Sequence, residues 1–525
     1  MCLLLALCAS CISGCRSTQN WWSNGLKVGP DYARPAAPVN GDWIEQDPAI
    51  VRQPIDNLNY WHAFQDPVLE RLIHTAYQNN LQVKTAVFRV VQTRHQLAAT
   101  RGDFWPQSQT ATGSYTRQQN SRNTANAIPG APRVIDSWAT GLNLTWEVDF
   151  WGRIRRSISA AGAEYNASIE DLDNVLVTLV ADVASTYLEL RSIDQRLAYA
   201  QKNIEIQAET LRRNETKKEL KEISGLDVEQ ALSNLRQTEA SVPQLLQSRR
   251  RAQNRLCVLL GMPPAELQSM IGAGDIPIVP EIAVVGIPAE LLRRRPDIRS
   301  AERSVAAQSE RIGIAQADLY PAFAINGTMS LSSADFADLF SSQSTGGSIG
   351  PSFRWNILNY GRIKNKVEVQ RSVFKQQVAN YQNTVLTAQR EVEDAMAQFL
   401  YARRQYAKLT EATTAMEKAV KIAKETWKSG TDERFTYNQV FTVEANLVSL
   451  QDQLVQVELQ VAQGFVQIYR ALGGGWEIRN EVNCLPRLDC HFGPDEYCPK
   501  RLPGFCPIEC QTPNGDGFEL STARK

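Results

Sequence analysis

Two periodicities organise this chain, one of helices and one of strands. Leu172, Leu176, Leu179, Val183, Tyr187, Leu190, Ile193 and Leu197 step by threes and fours, the spacing that keeps one helix face inward. Val385, Ala388, Val392, Ala395, Phe399, Ala402, Tyr406 and Leu409 do the same with a slightly shorter mean step. Residues 153–217 hold no proline and a single glycine, Gly162, and residues 362–429 hold neither. These stretches predict two uninterrupted helices of about 65 residues, each about 100 Å long at ~1.5 Å per residue. Their seams have coiled-coil spacing. A globular domain has no use for such length, whereas a tunnel across the periplasm does.

The strand signal has period two. Leu142, Leu144, Trp146, Val148 and Phe150 alternate with Asn143, Thr145, Glu147 and Asp149. Phe323, Ile325, Met329 and Leu331 alternate with Ala324, Asn326, Thr328 and Ser330, with Gly327 interrupting the apolar series. Ile349, Phe353, Trp355 and Ile357 alternate around Ser352, Arg354 and Asn356, and a fourth, weaker strand is predicted over 107–116. Lengths near ten residues match the roughly 9–11 that a tilted strand needs to cross a bilayer. Trp105, Trp151, Tyr320 and Tyr360 bracket the two hairpins as an aromatic belt brackets a membrane. The competing reading, half-buried hairpins of a soluble sandwich, leaves two isolated hairpins that are marginal alone. Four strands cannot close a barrel, and an open edge in lipid is forbidden. Several protomers must therefore contribute, with the polar loops 117–137 and 332–346 on the outer rim.

The chain is also a tandem duplication. Phe104-Trp105-Pro106 recurs as Leu319-Tyr320-Pro321, and WEVDFWGRIR from Trp146 recurs as WNILNYGRIK from Trp355. The helical close around Asn254 is echoed by Tyr469-Arg470-Ala471-Leu472-Gly473. Each copy reads as an approach helix, a strand pair and a very long helix.

Charge removes one class of function. Lys plus Arg and Asp plus Glu both total 56, so the overall basic footprint of a nucleic-acid binder is absent. Beyond the first 15 residues no apolar run reaches the ~18 of a membrane-spanning helix. The cysteines lie at the ends: Cys2, Cys8, Cys11 and Cys15, then Cys484, Cys490, Cys498, Cys506 and Cys510, with only Cys257 between. The first 14 residues read as a signal peptide, although no Lys or Arg precedes the apolar run. Ile12-Ser13-Gly14-Cys15 reads as a lipobox that makes Cys15 the lipidated start of an exported chain, the alternative being ordinary cleavage nearby. Arg16 fits an outer-membrane destination. In that oxidising compartment the five C-terminal cysteines read as a disulfide-stapled appendix with one left over. A metal site there has only His491 and no CxxC pair.

No catalytic constellation stands out. His62, His74, His95 and His491 have no ligand spacing, Gly272-Ala273-Gly274 lacks a third glycine, and Gly473-Gly474-Gly475 has no phosphate-loop lysine. Arg293-Arg294-Arg295 reads as a solvated helix approach that also anchors packing. The expectation is a non-enzyme without cofactor or metal.

Several ordered motifs resemble the TolC-like outer-membrane efflux family, in its lipoprotein (NodT or OprM) branch. They are Val28-Gly29-Pro30-Asp31-Tyr32, the run from Tyr60 to Leu69, Leu291-Leu292-Arg293-Arg294-Arg295-Pro296-Asp297, and Ala471-Leu472-Gly473-Gly474-Gly475-Trp476. The resemblance implies a lipid-anchored segment over 15–60, repeats over 61–270 and 288–477, and a tail over 478–525. It implies a mixed α/β membrane protein: a homotrimer sharing a 12-stranded β-barrel, four strands per protomer, continued by a 12-helix coiled-coil periplasmic tunnel. It further implies an adaptor (membrane fusion) protein and an inner-membrane efflux pump as partners, outer-membrane lipid around the barrel, and no nucleic acid. The tunnel's constriction falls on Asp227, Thr436 and Gln439, with Lys221 where the family usually has glycine. The function implied is passive conduction of small molecules to the exterior. A type I protein-secretion conduit and a non-spanning periplasmic coiled-coil scaffold are the alternatives.

Overall fold

The computed structural model describes residues 21–22, 24–53, 59–121, 123, 130, 132–429 and 437–482. In chain order the elements are β1 (Ile50–Arg52), α1 (Pro67–Asn79), α2 (Leu81–Gly102), β2 (Ser108–Gln119), β3 (Val134–Val148), α3 (Arg153–Glu219) and α4 (Gly225–Leu259). They continue with α5 (Gln268–Ile271), β4 (Ala283–Val285), α6 (Leu291–Arg294), α7 (Pro296–Ala317), β5 (Ala322–Ser333), β6 (Thr345–Arg354), α8 (Arg362–Ser429), α9 (Tyr437–Ala471) and α10 (Ile478–Val482). The chain divides into a hairpin unit (1–37, 89–170 and 299–384) and a helical unit (38–88, 171–298 and 385–525).

In the hairpin unit, β2, β3, β5 and β6 form one sheet in that order, antiparallel throughout. The weak second strand runs to Gln119, beyond its predicted end. The last strand stops at Arg354, so Trp355 and Ile357 lie outside it. The next register partner would be Pro321, which has no N–H to give, so the ladder ends there, and the Trp355 indole donates to the Leu319 carbonyl at 3.0 Å. The rim between β5 and β6 is not an open loop but carries two short 3-10 turns, Phe336–Asp338 and Ser342–Ser344.

A buried arginine pins the N-terminal segment onto this unit. Arg156 on α3 is fully buried; its Nε donates to the Val28 carbonyl at 2.5 Å and its Nη2 to the Gly29 carbonyl at 3.1 Å. Its Nη1 pairs with Glu310 on α7 at 2.7 Å. A buried charge is tolerated only when paired and hydrogen-bonded, and here three donors are used. Gly313 makes the fit, because a Cβ there would run into the Arg156 side chain. The Val28-Gly29-Pro30 motif is thus a docking sequence.

In the helical unit the apolar seams sit inside. Leu172, Leu176, Leu179, Val183, Tyr187, Leu190 and Ile193 are buried, as are Val385, Ala388, Val392, Ala395, Phe399 and Ala402. Each large side chain so buried contributes about 1.5–3 kcal/mol. Asp66 caps α1, its Oδ1 accepting from the Val68 and Leu69 amides at 2.8 and 3.2 Å. Its Oδ2 accepts from the Tyr187 hydroxyl at 2.6 Å, and Arg191 donates to that hydroxyl at 3.0 Å. The approach to the first hairpin breaks between α1 and α2 at Asn80, whose Oδ1 caps Gln82 and Val83.

Two sequence signatures prove to be halves of one clasp. Arg295 is buried rather than solvated, and its Nη1 donates to the Ala471 carbonyl at the end of α9, at 2.8 Å. Asp297 and Glu391 neutralise it, at 2.7 and 2.8 Å. Gly473, at φ +83°, passes so close that a Cβ would lie 3.0 Å from the Arg295 Cα.

Candidate functional site: the hairpin sheet and the helical turns

The sheet has one apolar and one polar face, and among the described residues none buries either. Register places Leu142 opposite Met329, Leu144 opposite Gly327, Trp146 opposite Ile325 and Val148 opposite Phe323. Gly327 and Phe323 in turn face Ile349 and Phe353. Cross-strand partners share a face, so these apolar side chains form one surface. Ile349 and Phe353 are 78% and 70% exposed within the protomer. The opposite face carries Asn143, Thr145, Asn326, Thr328, Ser348 and Ser352. Asn326 donates to Ser352 at 2.7 Å, and the Thr328 and Ser348 hydroxyls meet at 2.9 Å. An amphipathic sheet with both faces bare fits lipid on one side and water on the other.

Aromatic side chains mark both ends of the apolar band. At the helix-proximal end Trp151 stacks on Tyr320 with centroids 4.5 Å apart, and its indole donates to the Pro321 carbonyl at 2.8 Å. Trp105 and Tyr360, at 68% and 97% exposure, lie at the same end. The far end holds a second group that the sequence reading missed. Tyr115 packs on Trp138 at 4.3 Å and Trp138 on Phe336 at 5.0 Å. Its only sequence signal was spacing, since Trp138 lies on the Leu142 face well up the strand from Trp146. From Trp138 to Val148 the strand spans about 34 Å at ~3.4 Å per residue. Tilted by about 40°, it rises about 26 Å, close to the ~25 Å apolar band of outer-membrane barrels.

In the helical unit the candidate constriction residues sit beside helix turns. After α3 the chain reverses through Lys221, whose φ is +61°. The Lys221 amide bonds the Lys218 carbonyl and the Glu222 amide the Lys217 carbonyl, both at 2.9 Å. Asp227 lies in the first turn of α4, where its Oδ2 accepts from the Ser224 amide at 3.0 Å and hydroxyl at 2.8 Å. That oxygen is therefore committed to a cap. Gln439 is exposed in the first turn of α9. Thr436 lies outside the described residues, as do Cys15, Cys484, Cys490, Cys498, Cys506 and Cys510.

A small core ties these turns together: Ala231, Ala423, Tyr437 and Val440, flanked by Leu211, Trp427 and Phe441. Lys217 lies 4.5 Å from the Trp427 ring centre, and Lys424 pairs with buried Glu444 at 2.7 Å. Burial raises the Tyr437 phenol well above its ordinary pKa, helped by the nearby Glu444 and Asp227 carboxylates. Tyr437 thus stays neutral.

His62 and His74, unrelated by spacing, both approach Glu70, at 3.6 and 4.0 Å. Among the described residues no group of three or more His, Cys, Asp or Glu could hold a metal. No described helix is long and apolar enough to cross a membrane.

Comparison with known proteins decides the family. Residues 72–262 and 287–474 match the family described as Outer membrane efflux protein. The chain belongs to this family. It is 30% identical over 454 residues to the outer membrane protein OprJ of Pseudomonas aeruginosa, covering 86% of this chain and 93% of that one. It is 30% identical over 477 residues to the toluene efflux pump outer membrane protein TtgI of Pseudomonas putida, covering 86% and 96%. The solved structure of the outer-membrane channel OprN superposes with a TM-score of 0.79 at 29% identity, covering 86% of this chain and 99% of that one.

For this efflux-family chain, Lys221 is informative because it takes the left-handed conformation that suits glycine. A non-glycine residue there costs roughly 1–2 kcal/mol, while glycine loses roughly 0.5–1 kcal/mol more backbone entropy on folding. Lys221→Gly should therefore stabilise the turn by up to about 1 kcal/mol, read as a raised thermal midpoint of the detergent-solubilised protein. A lowered midpoint would contradict the strain assigned to Lys221.

Proposed function

We propose that this outer-membrane protein is the exit conduit of a tripartite efflux system, passing small molecules delivered by an inner-membrane pump and its periplasmic adaptor. The observation that carries the proposal is the bare amphipathic sheet with two open edges. Three copies supply 12 strands, enough for a closed barrel with the Leu142 face in lipid and the Asn143 face on a watery lumen. The long helices of the three copies line a periplasmic tunnel. Cys15 carries the lipid that holds the N-terminus at the membrane, and further along the chain Val28 and Gly29 dock onto Arg156. Trp105, Trp151, Tyr320 and Tyr360 form the periplasmic aromatic girdle.

A protein-secretion conduit would use similar architecture, but relatives named for toluene and solvent efflux favour small molecules. A non-spanning scaffold leaves the uncovered apolar face of the sheet without a role.

The lipid-facing assignment is tested by a pair of neighbours. A charge near the midplane costs about 2–4 kcal/mol on the lipid face of a barrel. Leu144→Arg should sharply reduce the amount of protein in the outer membrane, whereas Thr145→Arg should be tolerated. Equal tolerance would exclude this orientation.

Asp227, Thr436 and Gln439 form the periplasmic constriction, where threefold symmetry triples each side chain. Asp227→Asn keeps an oxygen for the Ser224 cap and removes the charge. In planar bilayers it should weaken cation preference, seen as a reversal potential moved toward zero in a salt gradient. An unchanged reversal potential would remove Asp227 from the pore.

A further inference from the structure

The polar face of the sheet is free of charge along nearly all of its height. On β2 every second residue from Ser108 to Gln118 lies on this face, and all are Ser, Thr or Gln. The residues of β3, β5 and β6 on the same face are uncharged from Thr145, Asn326 and Ser352 to the rim. Charge returns only at the helix-proximal end. There Glu147 lies opposite Ala324 and Arg354 opposite Ala322, so both stand on the polar face, one step apart along β5.

The two repeats treat their charges differently at this end. In the first, Arg153 opens α3 and donates through Nε to the Glu147 carboxylate at 3.0 Å, with its Nη2 2.8 Å from the same oxygen. Arg155 donates to Asp149 at 2.9 Å and to the Gly25 and Leu26 carbonyls of the N-terminal segment. In the second repeat the bases remain as Arg362 and Lys364, but Asn356 and Leu358 stand where the two acids were. The helix phase is kept, because Ile154 and Ile363, each just after its arginine, are both buried. The preceding turn is kept as well, with Gly152 at φ +80° and Gly361 at φ +81°. Arg362 therefore takes the place of Arg153 beside the polar face, with no acid to answer it. Arg354 and Arg362 are exposed and, among the described residues, neither holds an ion pair. The other acids nearby, Asp103 and Asp318, follow the approach helices α2 and α7 and lie off the sheet.

We propose that Arg354 and Arg362 form an anion-attracting collar at the periplasmic mouth of the barrel lumen, favouring exit of solutes that bear carboxylate, phosphate or sulfate groups. This rests on the trimeric conduit reading and adds a sign of charge to it. Each copy contributes two unanswered bases, so three copies set six around one axis. The Glu147–Arg153 pairs add no net charge. Twelve strands about 4.8 Å apart and tilted by about 40° enclose a lumen roughly 12 Å in radius. The Debye length is about 10 Å at 0.1 M salt and about 3 Å at 1 M. The collar's field thus reaches across most of the lumen in dilute salt and shrinks to the wall in concentrated salt. Guanidinium suits the task, since its planar fork meets two oxygens of an anion at once. The uncharged wall beyond the collar then lets the anion leave.

Block by a polyanion in planar bilayers reads the collar directly, with inositol hexakisphosphate as the probe on the barrel side. In ~0.1 M KCl the parent should be blocked, and Arg354→Gln/Arg362→Gln should need at least about tenfold more probe. In ~1 M KCl that difference should vanish. Arg354→Lys/Arg362→Lys should be blocked in the parent's range. Lys364→Gln, the counterpart of an arginine bound to the N-terminal segment, should not change the block. Open channels whose block ignores the double glutamine variant, or follows Lys364 instead, overturn the collar and leave the conduit standing. Where the double variant forms no channels, Arg354→Gln and Arg362→Gln should each raise the blocking concentration, and two singles without effect overturn the collar equally. A parent chain that forms no channels overturns the conduit reading and the collar with it.

Discussion

A strand edge cannot be left unpaired in hydrocarbon. Each unsatisfied amide or carbonyl costs several kcal/mol where no water can reach it. This protein carries a four-stranded sheet whose outer strands, β2 and β6, have no strand partner on their far sides among the described residues. Its apolar face is uncovered as well. A soluble protein would cover that face with a helix and blunt the edges with charge or proline. Here Pro351 is the only proline within the four strands. The proposed closure by several copies around a polar lumen answers that unmet constraint.

Within each unit a buried arginine fastens a distant segment of chain. Arg156 fastens the N-terminal segment, and Arg295 fastens the end of α9. In both cases one guanidinium bridges a backbone carbonyl and a carboxylate, and a glycine makes room for the approach. Arginine suits this because its planar fork remains charged and can satisfy several acceptors at once. The motifs at Val28 and Asp297 thus have structural jobs distinct from conduction.

Much of this was legible in the sequence, because periodicity reports burial. The absence of proline and glycine bounded α8 at Ser429, and the threes-and-fours series named residues that are buried, save Leu197, Tyr406 and Leu409, which are half-buried. The alternation around Leu144 set the faces of β3, and the register agrees with it. Places where tertiary bonds outweigh pattern were less legible. Trp355 reads as a strand residue by alternation, but its register partner would be Pro321, which has no N–H to give, and the ladder ends at Arg354. Arg295 reads as surface charge until Ala471, far away in sequence, is brought to it. The girdle at Trp138 was missed because its partner Tyr115 lies in a strand of small and polar residues. Asp227 lies just after a turn, and its commitment to Ser224 depends on a local geometry that spacing does not encode.

The central claim is that identical copies close the sheet. Native mass spectrometry of the protein extracted from outer membranes in mild detergent tests it most directly. Each chain weighs 58.7 kDa over the 525 residues. The account predicts one dominant particle of three mature chains. A stable monomer, or an assembly whose strands do not total 12, would contradict it.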